Sequence, residues 1–197
     1  VELWGIILGI TATGFMVGGG IVAAKGLGRN PIRTMLLLVA LMGLLGALFT
    51  IRDWWWLYLV GIWLYMCLIP PVEAAEQTVI QKVVPFERQG RVFGAAAAIE
   101  VSAAPLTAFL IAPIAEFWII PLMESDRGQQ DWGWLVGDGL GRGIALVFVF
   151  SGLVMVVAAL LAFTTKSYRT LSKQYAIAPE TPAEEPRPFD EYEKTEA

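Results

Sequence analysis

The sequence predicts an all-α fold, a polytopic bundle of five transmembrane helices. The chain of 197 residues contains five strongly apolar runs, and each is close to or above the roughly 20 residues that cross a hydrocarbon core of about 30 Å. Only helices and closed barrels satisfy every backbone group in lipid, and these runs lack the alternation of a barrel strand. The five predicted spans are residues 4–24, 32–51, 54–72, 94–120 and 143–164.

The first span begins without a basic segment before it, since the first Lys is Lys25. It therefore reads as a true span and not as a cleaved signal peptide. The span carries Gly5, Gly9, Gly14 and Gly18 at intervals of four or five residues. Small residues on one face let another helix approach closely in lipid. We expect a helix-packing face, although a moving interface in a transporter would use the same residues.

The third span begins with an aromatic cluster, Trp54 to Trp56 and Tyr58, which is typical of an interfacial anchor and less so of ligand stacking. Near its other end, the sequence Pro70-Pro71 predicts a broken or kinked helix.

Three polar residues follow the two prolines. We expect them on the end of the broken helix, facing the bundle or the cytoplasmic mouth. A gating or salt-bridge role with a neighbouring Arg is one interpretation, and plain solvation at the interface is the other. These residues are Glu73, Glu76 and Gln77.

The fourth span contains Glu100 about six residues from its start, among Ala and Ser. Placing a carboxylate inside a membrane costs about 2.5 kcal/mol or more unless it is paired, hydrated or protonated. The position of Glu100 therefore predicts a functional site. Proton coupling and charge balance for a cationic substrate are the candidate roles. Alternatively, Glu100 lies close enough to the interface to reach water or Arg91. Pro105 and Pro113 predict a bent helix.

The segment 121–142 between the last two spans is rich in Gly and contains two Trp. It predicts an interfacial aromatic anchor with a flexible connection, with a substrate-gating loop as the alternative. Two regions follow from these patterns: a transmembrane bundle over residues 1–165, and a cytoplasmic, largely disordered, acidic and Pro-rich tail over residues 166–197.

Lys and Arg alternate between abundant and scarce from one loop to the next. Nine basic residues fall on one side of the predicted membrane, and three fall on the other, where five acids dilute them. Positive loops stay in the cytoplasm, which predicts an outside N-terminus and a cytoplasmic C-terminus. The nine are Lys25, Arg29, Arg33, Lys82, Arg88, Arg91, Lys166, Arg169 and Lys173; the three are Arg52, Arg127 and Arg142.

The composition argues against several classes of protein. The net charge is −4, and residues 174–197 alone carry −5, so no basic stripe predicts nucleic-acid binding. The chain has no His and one Cys, Cys67, which excludes an internal disulfide and sites built from Cys or His ligands. No nucleophile elbow or phosphate loop is present. We expect no enzyme activity, no cofactor and no metal.

The segment 77–94, QTVIQKVVPFERQGRVFG, resembles the cytoplasmic loop before the penultimate helix in the major facilitator superfamily, in its macrolide-efflux-type and siderophore-exporter-type branch. Residues 112–116 (APIAE), 137–143 (GDGLGRG) and, more weakly, 25–33 (KGLGRNPIR) are similar to other parts of that group. The residues that carry the loop pattern are Gln81, Pro85, Arg88, Gly90 and Arg91.

The resemblance implies that the five spans correspond to helices eight to twelve of a twelve-helix transporter, which is most of one six-helix half. The N-terminal half and the seventh helix lie outside this chain. The implied function is that of the C-terminal portion of a proton-coupled efflux permease for small amphipathic or cationic compounds, in a bacterial inner (plasma) membrane.

The resemblance also implies roles for individual residues and partners. Glu100 would carry proton coupling or substrate charge, and Arg88 and Arg91 would lie in the loop that contacts the other half. Glu73, Glu76 and Gln77 would form the cytoplasmic mouth. The expected partners are the lipid bilayer, a small-molecule substrate, and the missing transporter half or another copy of the chain. A non-transporting remnant or small membrane partner subunit is the alternative.

Overall fold

The chain folds into helices joined by short connections. The structure is a computed structural model and describes residues 2–52, 54–137 and 142–177. These residues contain no strand, so the predicted all-α class is confirmed. The elements are α1 (Glu2–Lys25), α2 (Pro31–Leu48), α3 (Trp55–Val83), α4 (Phe86–Ile114), a π-helical segment (Ala115–Ile119), α5 (Ile120–Glu124), α6 (Asp126–Val136), α7 (Arg142–Thr164) and α8 (Lys166–Ile177).

Five of these helical runs are long and apolar enough to cross a membrane, and each overlaps one of the five predicted spans, the third and fourth extending beyond the predicted bounds. They are α1, α2, α3, the run from α4 through α5, and α7. Many of their large apolar side chains are exposed in the chain by itself. A helix that is apolar on all sides is buried in a large core or lies in lipid. The protein therefore has the character of a membrane-embedded helix bundle.

Of the two outcomes predicted for Pro70-Pro71, a break is wrong, because α3 is helical without interruption from Trp55 to Val83. A proline within a helix removes the hydrogen bond to the carbonyl four residues earlier. For Pro71 that carbonyl belongs to Cys67, and the backbone of α1 lies directly against it at Gly18. Close packing of a second helix therefore covers the place where the ladder lacks a donor.

The connection between α3 and α4 is much shorter than the loop predicted over residues 77–94. Only Val84 and Pro85 lie between the two helices. The side-chain amide of Gln89 donates hydrogen bonds to the carbonyls of Gln81 and Val84, both at 3.0 Å. These carbonyls end α3 and have no helical partner of their own. A tight helical hairpin results.

The fourth span is helical through Pro105 and changes to a π-helical segment at Ala115, two residues after Pro113. Because Pro113 cannot donate a hydrogen bond, an irregular turn at this place has a local cause. Glu116 lies within that segment. The bend predicted from Pro105 and Pro113 therefore corresponds to one irregular turn of the helix, which lies next to Pro113.

The glycine face of α1 is used over half of its length. A Cβ at Gly14 would lie 2.6 Å from the carbonyl oxygen of Trp63 on α3, and one at Gly18 would collide with Cys67. Positions Gly5 and Gly9 have no atom within 4 Å of a built Cβ. Gly14 and Gly18 therefore lie against the backbone of α3, whereas, among the described residues, Gly5 and Gly9 meet no neighbouring helix.

A second pair of glycines joins α2 to α7. A Cβ at Gly43 would lie 2.7 Å from the carbonyl oxygen of Gly152, and one at Gly152 would collide with the carbonyl of Gly43. Each glycine thus makes room for the backbone of the other helix, the arrangement that favours helix association in lipid. The sequence analysis did not single out this pair.

The segment 121–142 is largely helical, which corrects the prediction of a flexible connection. Helices α5 and α6 occupy most of it, and Ser125 caps α6 by accepting a hydrogen bond from the backbone N–H of Gly128 at 3.2 Å. Met123 and Val136 are buried against Leu146 of α7. Residues 138–141 lie outside the described residues.

The two tryptophans of this segment behave differently. Trp132 packs edge-on against Phe150 of α7, with ring centroids 5.6 Å apart, whereas Trp134 is 72% exposed. An interfacial anchor therefore fits Trp134 alone. At the start of α3, Trp54 and Trp56 stack at 5.4 Å and are exposed, in keeping with the anchor predicted there.

The region after α7 differs from the prediction at its start. Residues Lys166–Ile177 form helix α8, where a largely disordered tail was expected from residue 166. These residues include no acid and no proline, and Tyr168 packs edge-on against Phe163 at 5.3 Å. The acidic, Pro-rich part of the predicted tail, residues 178–197, lies outside the described residues.

Candidate functional site

A polar cavity of about 400 Å³ lies between α3 and α4. All four residues that the sequence analysis selected as candidates for substrate binding or proton coupling line it, together with one aromatic and two small residues. Its lining consists of Glu73, Glu76, Gln77, Phe93, Ala96, Ala97 and Glu100.

Helical spacing explains why these residues meet. On α3 they occupy positions i, i+3 and i+4, and on α4 they occupy positions i, i+3, i+4 and i+7. Such positions lie on one face of a helix. The two-residue connection at Val84 and Pro85 turns the chain back on itself, so the two faces are opposed across the hairpin. The small side chains of Ala96 and Ala97 leave the space that becomes the cavity.

With Trp55 taken as one edge of the hydrocarbon core, the cavity lies toward the other edge. With a rise of about 1.5 Å per residue, Glu73 is about 27 Å along α3 from Trp55, close to the far edge of a core about 30 Å thick. With the same rise, Val83 lies about 12 Å outside the hydrocarbon core. Helix α4 then runs back toward the core and covers about 21 Å from Phe86 to Glu100. Glu100 is therefore the deepest carboxylate, about 9 Å inside the core for upright helices.

The lining is acidic, with three carboxylates and no Lys or Arg. Glu73, Glu76 and Glu100 are exposed to the cavity or to the surroundings of the helices. Gln77 can both donate and accept hydrogen bonds, and Phe93 supplies an aromatic face. Such a lining can accept hydrogen bonds from a cationic group and balance its charge.

Among the described residues, no three of His, Cys, Asp and Glu lie close enough together to hold a metal ion. Ca²⁺ takes about six to eight oxygen ligands at short range, and the polar groups that line the cavity are three carboxylates and one amide.

The residues of the loop pattern lie beside the cavity and do not line it. Pro85 marks the break between the helices, and the carbonyl of Gln81 accepts the hydrogen bond from Gln89. Arg88 and Arg91 are exposed on the first turns of α4, as is Gly90. Glu100 lies nine residues beyond Arg91, about 13 Å along the helix, so the two do not pair.

Sequence analysis missed Phe93, Ala96, Ala97 and Gln89. The first three lie seven, four and three residues before Glu100, and this spacing could have identified them as neighbours on its face of the helix. The role of Gln89 had no such signal, because it depends on which carbonyls the end of α3 leaves free.

A second cavity, of about 340 Å³, lies among α2, α3 and α7. It contains the close contact of Gly43 with Gly152, and its other lining residues are mainly apolar, among them Met42, Phe148 and Met155. No charged side chain lines it. It provides space for an apolar group, and the polar side chains in its lining are the hydroxyls of Tyr65 and Ser151.

Comparison of the chain with protein-family models, with curated proteins and with solved structures found no match. The class of protein is therefore defined by fold and site alone: an all-α helix bundle of membrane-embedded character with an acidic cavity in a helical hairpin.

Proposed function

We propose that this chain takes part in transmembrane transport, as part of an efflux permease that moves small amphipathic or cationic compounds and couples this movement to protons. The acidic cavity between α3 and α4 carries the proposal. Its four polar lining residues are the ones that the sequence patterns single out, and they come from two separate helices. Ionisable residues at membrane depth commonly mark substrate or proton pathways.

In this proposal the residues have distinct roles. Glu100, the deepest carboxylate, binds the proton or the positive charge of the substrate. Glu73, Glu76 and Gln77 lie closer to the boundary and receive the substrate from the cytoplasm. Phe93 and the two alanines shape the cavity for an apolar group next to the charge.

The assignment to the major facilitator superfamily is part of the same proposal and rests on the sequence patterns around Pro85, Pro113 and Arg142. The proposed location is a bacterial inner membrane, with the N-terminus outside and the C-terminus in the cytoplasm. The substrate path of such transporters lies between two repeats that rock against each other. The proposed partners are therefore a small-molecule substrate, the bilayer, and the remaining transporter half or a second copy.

The test is proton-gradient-dependent uptake of a fluorescent cationic dye into inverted membrane vesicles that contain the chain. We expect Glu100→Gln to abolish uptake, because it removes the charge and the titratable proton while keeping the size. Glu87→Gln is the matched control, since Glu87 is an exposed carboxylate on the same helix outside the cavity. Equal loss in both variants, or full uptake by Glu100→Gln, would contradict the assigned role.

A non-transporting membrane partner subunit is the second candidate, and the surroundings of α4 favour it. None of the 29 residues of α4 is buried within the described chain, and α4 packs mainly on the end of α3 and on its own continuation. A protein whose fourth span packs on the other spans only near its two ends is suited to assembly with another chain. Absence of uptake from a well-inserted chain, with stable association with another membrane protein, would support this candidate.

A further inference from the structure

Helix α8 is held against one end of the bundle by two contacts that come from different parts of the chain. The side-chain amide of Asn30, in the connection between α1 and α2, donates to the hydroxyl of Ser172 at 3.5 Å. The ammonium group of Lys82, near the end of α3, lies 4.4 Å from the ring centroid of Tyr175, within cation–π range. α8 therefore has a defined place, next to the α1–α2 connection.

The side chains of α8 separate into two stripes. Tyr168, Ser172 and Tyr175 are partly buried and follow positions i, i+4 and i+7, so they form the face that packs on the bundle. The three basic side chains follow positions i, i+3 and i+7 and are all exposed. At about 100° per residue, the second stripe points about 120° away from the first. The basic stripe consists of Lys166, Arg169 and Lys173.

The α1–α2 connection and the helix ends on either side of it add three further exposed cations at the same end of the bundle, namely Lys25, Arg29 and Arg33. Asn30 orders this connection: its side chain accepts a hydrogen bond from the backbone N–H of Arg33 at 3.1 Å. Neither residues 25–33 nor α8 contains an acid. We call these six residues, three at or beside the α1–α2 connection and three on α8, the basic surface.

The basic surface lies at the height of the lipid headgroups. Helix α7 has 23 residues, a length of about 34 Å, which suffices to cross a core about 30 Å thick. Because α8 begins two residues after α7 ends, it starts where the hydrocarbon region stops. Short helices with a basic face and aromatic residues on another face are typical of this layer.

We propose that α8 lies in the headgroup layer and that the basic surface binds the phosphate groups of anionic phospholipids. Six cations from two segments can meet more than one phosphate, which favours a lipid with a negative net charge over a zwitterionic one. The contacts of Ser172 and Tyr175 with the bundle would transmit this binding to α2 and α3. The proposal does not depend on transport.

The experiment measures the unfolding midpoint of the purified chain in detergent micelles while phosphatidylglycerol or phosphatidylcholine is added. We expect a saturable rise of several degrees with phosphatidylglycerol, a much smaller rise with phosphatidylcholine, and loss of most of the difference in the triple variant K166Q/R169Q/K173Q. The matched control is S167Q/T170Q/Q174N, which alters three exposed polar residues of α8 at the same spacing and changes no charge. It should keep the full difference.

A second measurement applies to the unaltered protein, in case the triple variant does not fold. Raising the salt concentration from 50 to 500 mM should reduce the phosphatidylglycerol effect at least by half, because salt screens exposed charges. Inorganic phosphate at matched concentration should produce no comparable rise. An effect that is equal for both lipids, insensitive to salt, unchanged in the triple variant, or reproduced by inorganic phosphate would overturn the proposal.

Discussion

At the level of single residues, some glycines occupy positions that have no space for a larger residue. Gly18 has no room for a side chain, because the carbonyl of Cys67 lies against it, whereas its neighbour Gly19 has no atom within 4 Å of a built Cβ. Both are glycines in the same turn of α1. They differ only in what lies opposite, which makes them a matched pair for measuring the energy of close helix packing.

We expect Gly18→Ala to destabilise the protein by about 1–3 kcal/mol, the usual cost of forcing extra volume into a packed contact. Gly19→Ala should be neutral or stabilising by up to about 1 kcal/mol, because Ala is the better helix former. Reversible unfolding in mixed micelles measures both. Equal effects of the two substitutions would show that α1 does not pack on α3 at Gly18.

The alanines of the acidic cavity provide a second test at residue scale. Ala97 lines the cavity and its neighbour Ala98 does not. We expect Ala97→Leu to fill part of the space and to reduce dye uptake at least tenfold, while Ala98→Leu, on an exposed position, leaves uptake within twofold. Uptake in the vesicle assay that falls equally in both variants would place the substrate path elsewhere.

At the level of elements, the hairpin of α3 and α4 determines the geometry of the site. Its connection has two residues, and Gln89 holds it by hydrogen bonds to two carbonyls at the end of α3. The acidic cavity begins about one turn farther along α4, at Phe93. The angle between the helices, and so the separation of Glu76 from Glu100, depends on this connection.

We expect Gln89→Ala to lower the free energy of unfolding by about 1–3 kcal/mol, because two hydrogen bonds with net values near 1 kcal/mol each are lost. Gln130→Ala is the control. Gln130 is exposed on α6, and its side chain makes no hydrogen bond within the part of the chain that the structure describes. The unfolding midpoint in micelles distinguishes the two. A Gln89→Ala protein as stable as the control would mean that the connection does not depend on this side chain.

At the level of the whole molecule, the distribution of charge predicts how the bundle is oriented. The connections at the end that contains α8 carry most of the basic residues, and α6 lies at the other end with Arg127 among several acids. Contacts of α8 with Asn30 and Lys82 bring the basic segments together in space. This agreement between charge and packing is the basis of the orientation proposed above.

We expect labelling by a membrane-impermeant maleimide to distinguish the two ends in intact bacterial cells. In a Cys67→Ala background, Gln130→Cys should be labelled from outside, and Ser167→Cys only after permeabilisation. Both positions are exposed, so the membrane is the only barrier to the reagent. The reverse pattern would invert the proposed topology.

The five spans and the choice of helices were accessible from the sequence, because a long apolar run can satisfy its backbone in lipid in only one way. The acidic residues of the site were also identifiable, since charge within such a run is costly. Hydropathy does not specify how a helix is rotated about its own axis or which helix packs beside it. For this reason the pairing of Gly43 with Gly152, the continuous helix through Pro71 and the opposition of Glu76 to Glu100 emerged only in the packed structure. Each of these features depends on a second helix that packs against the first.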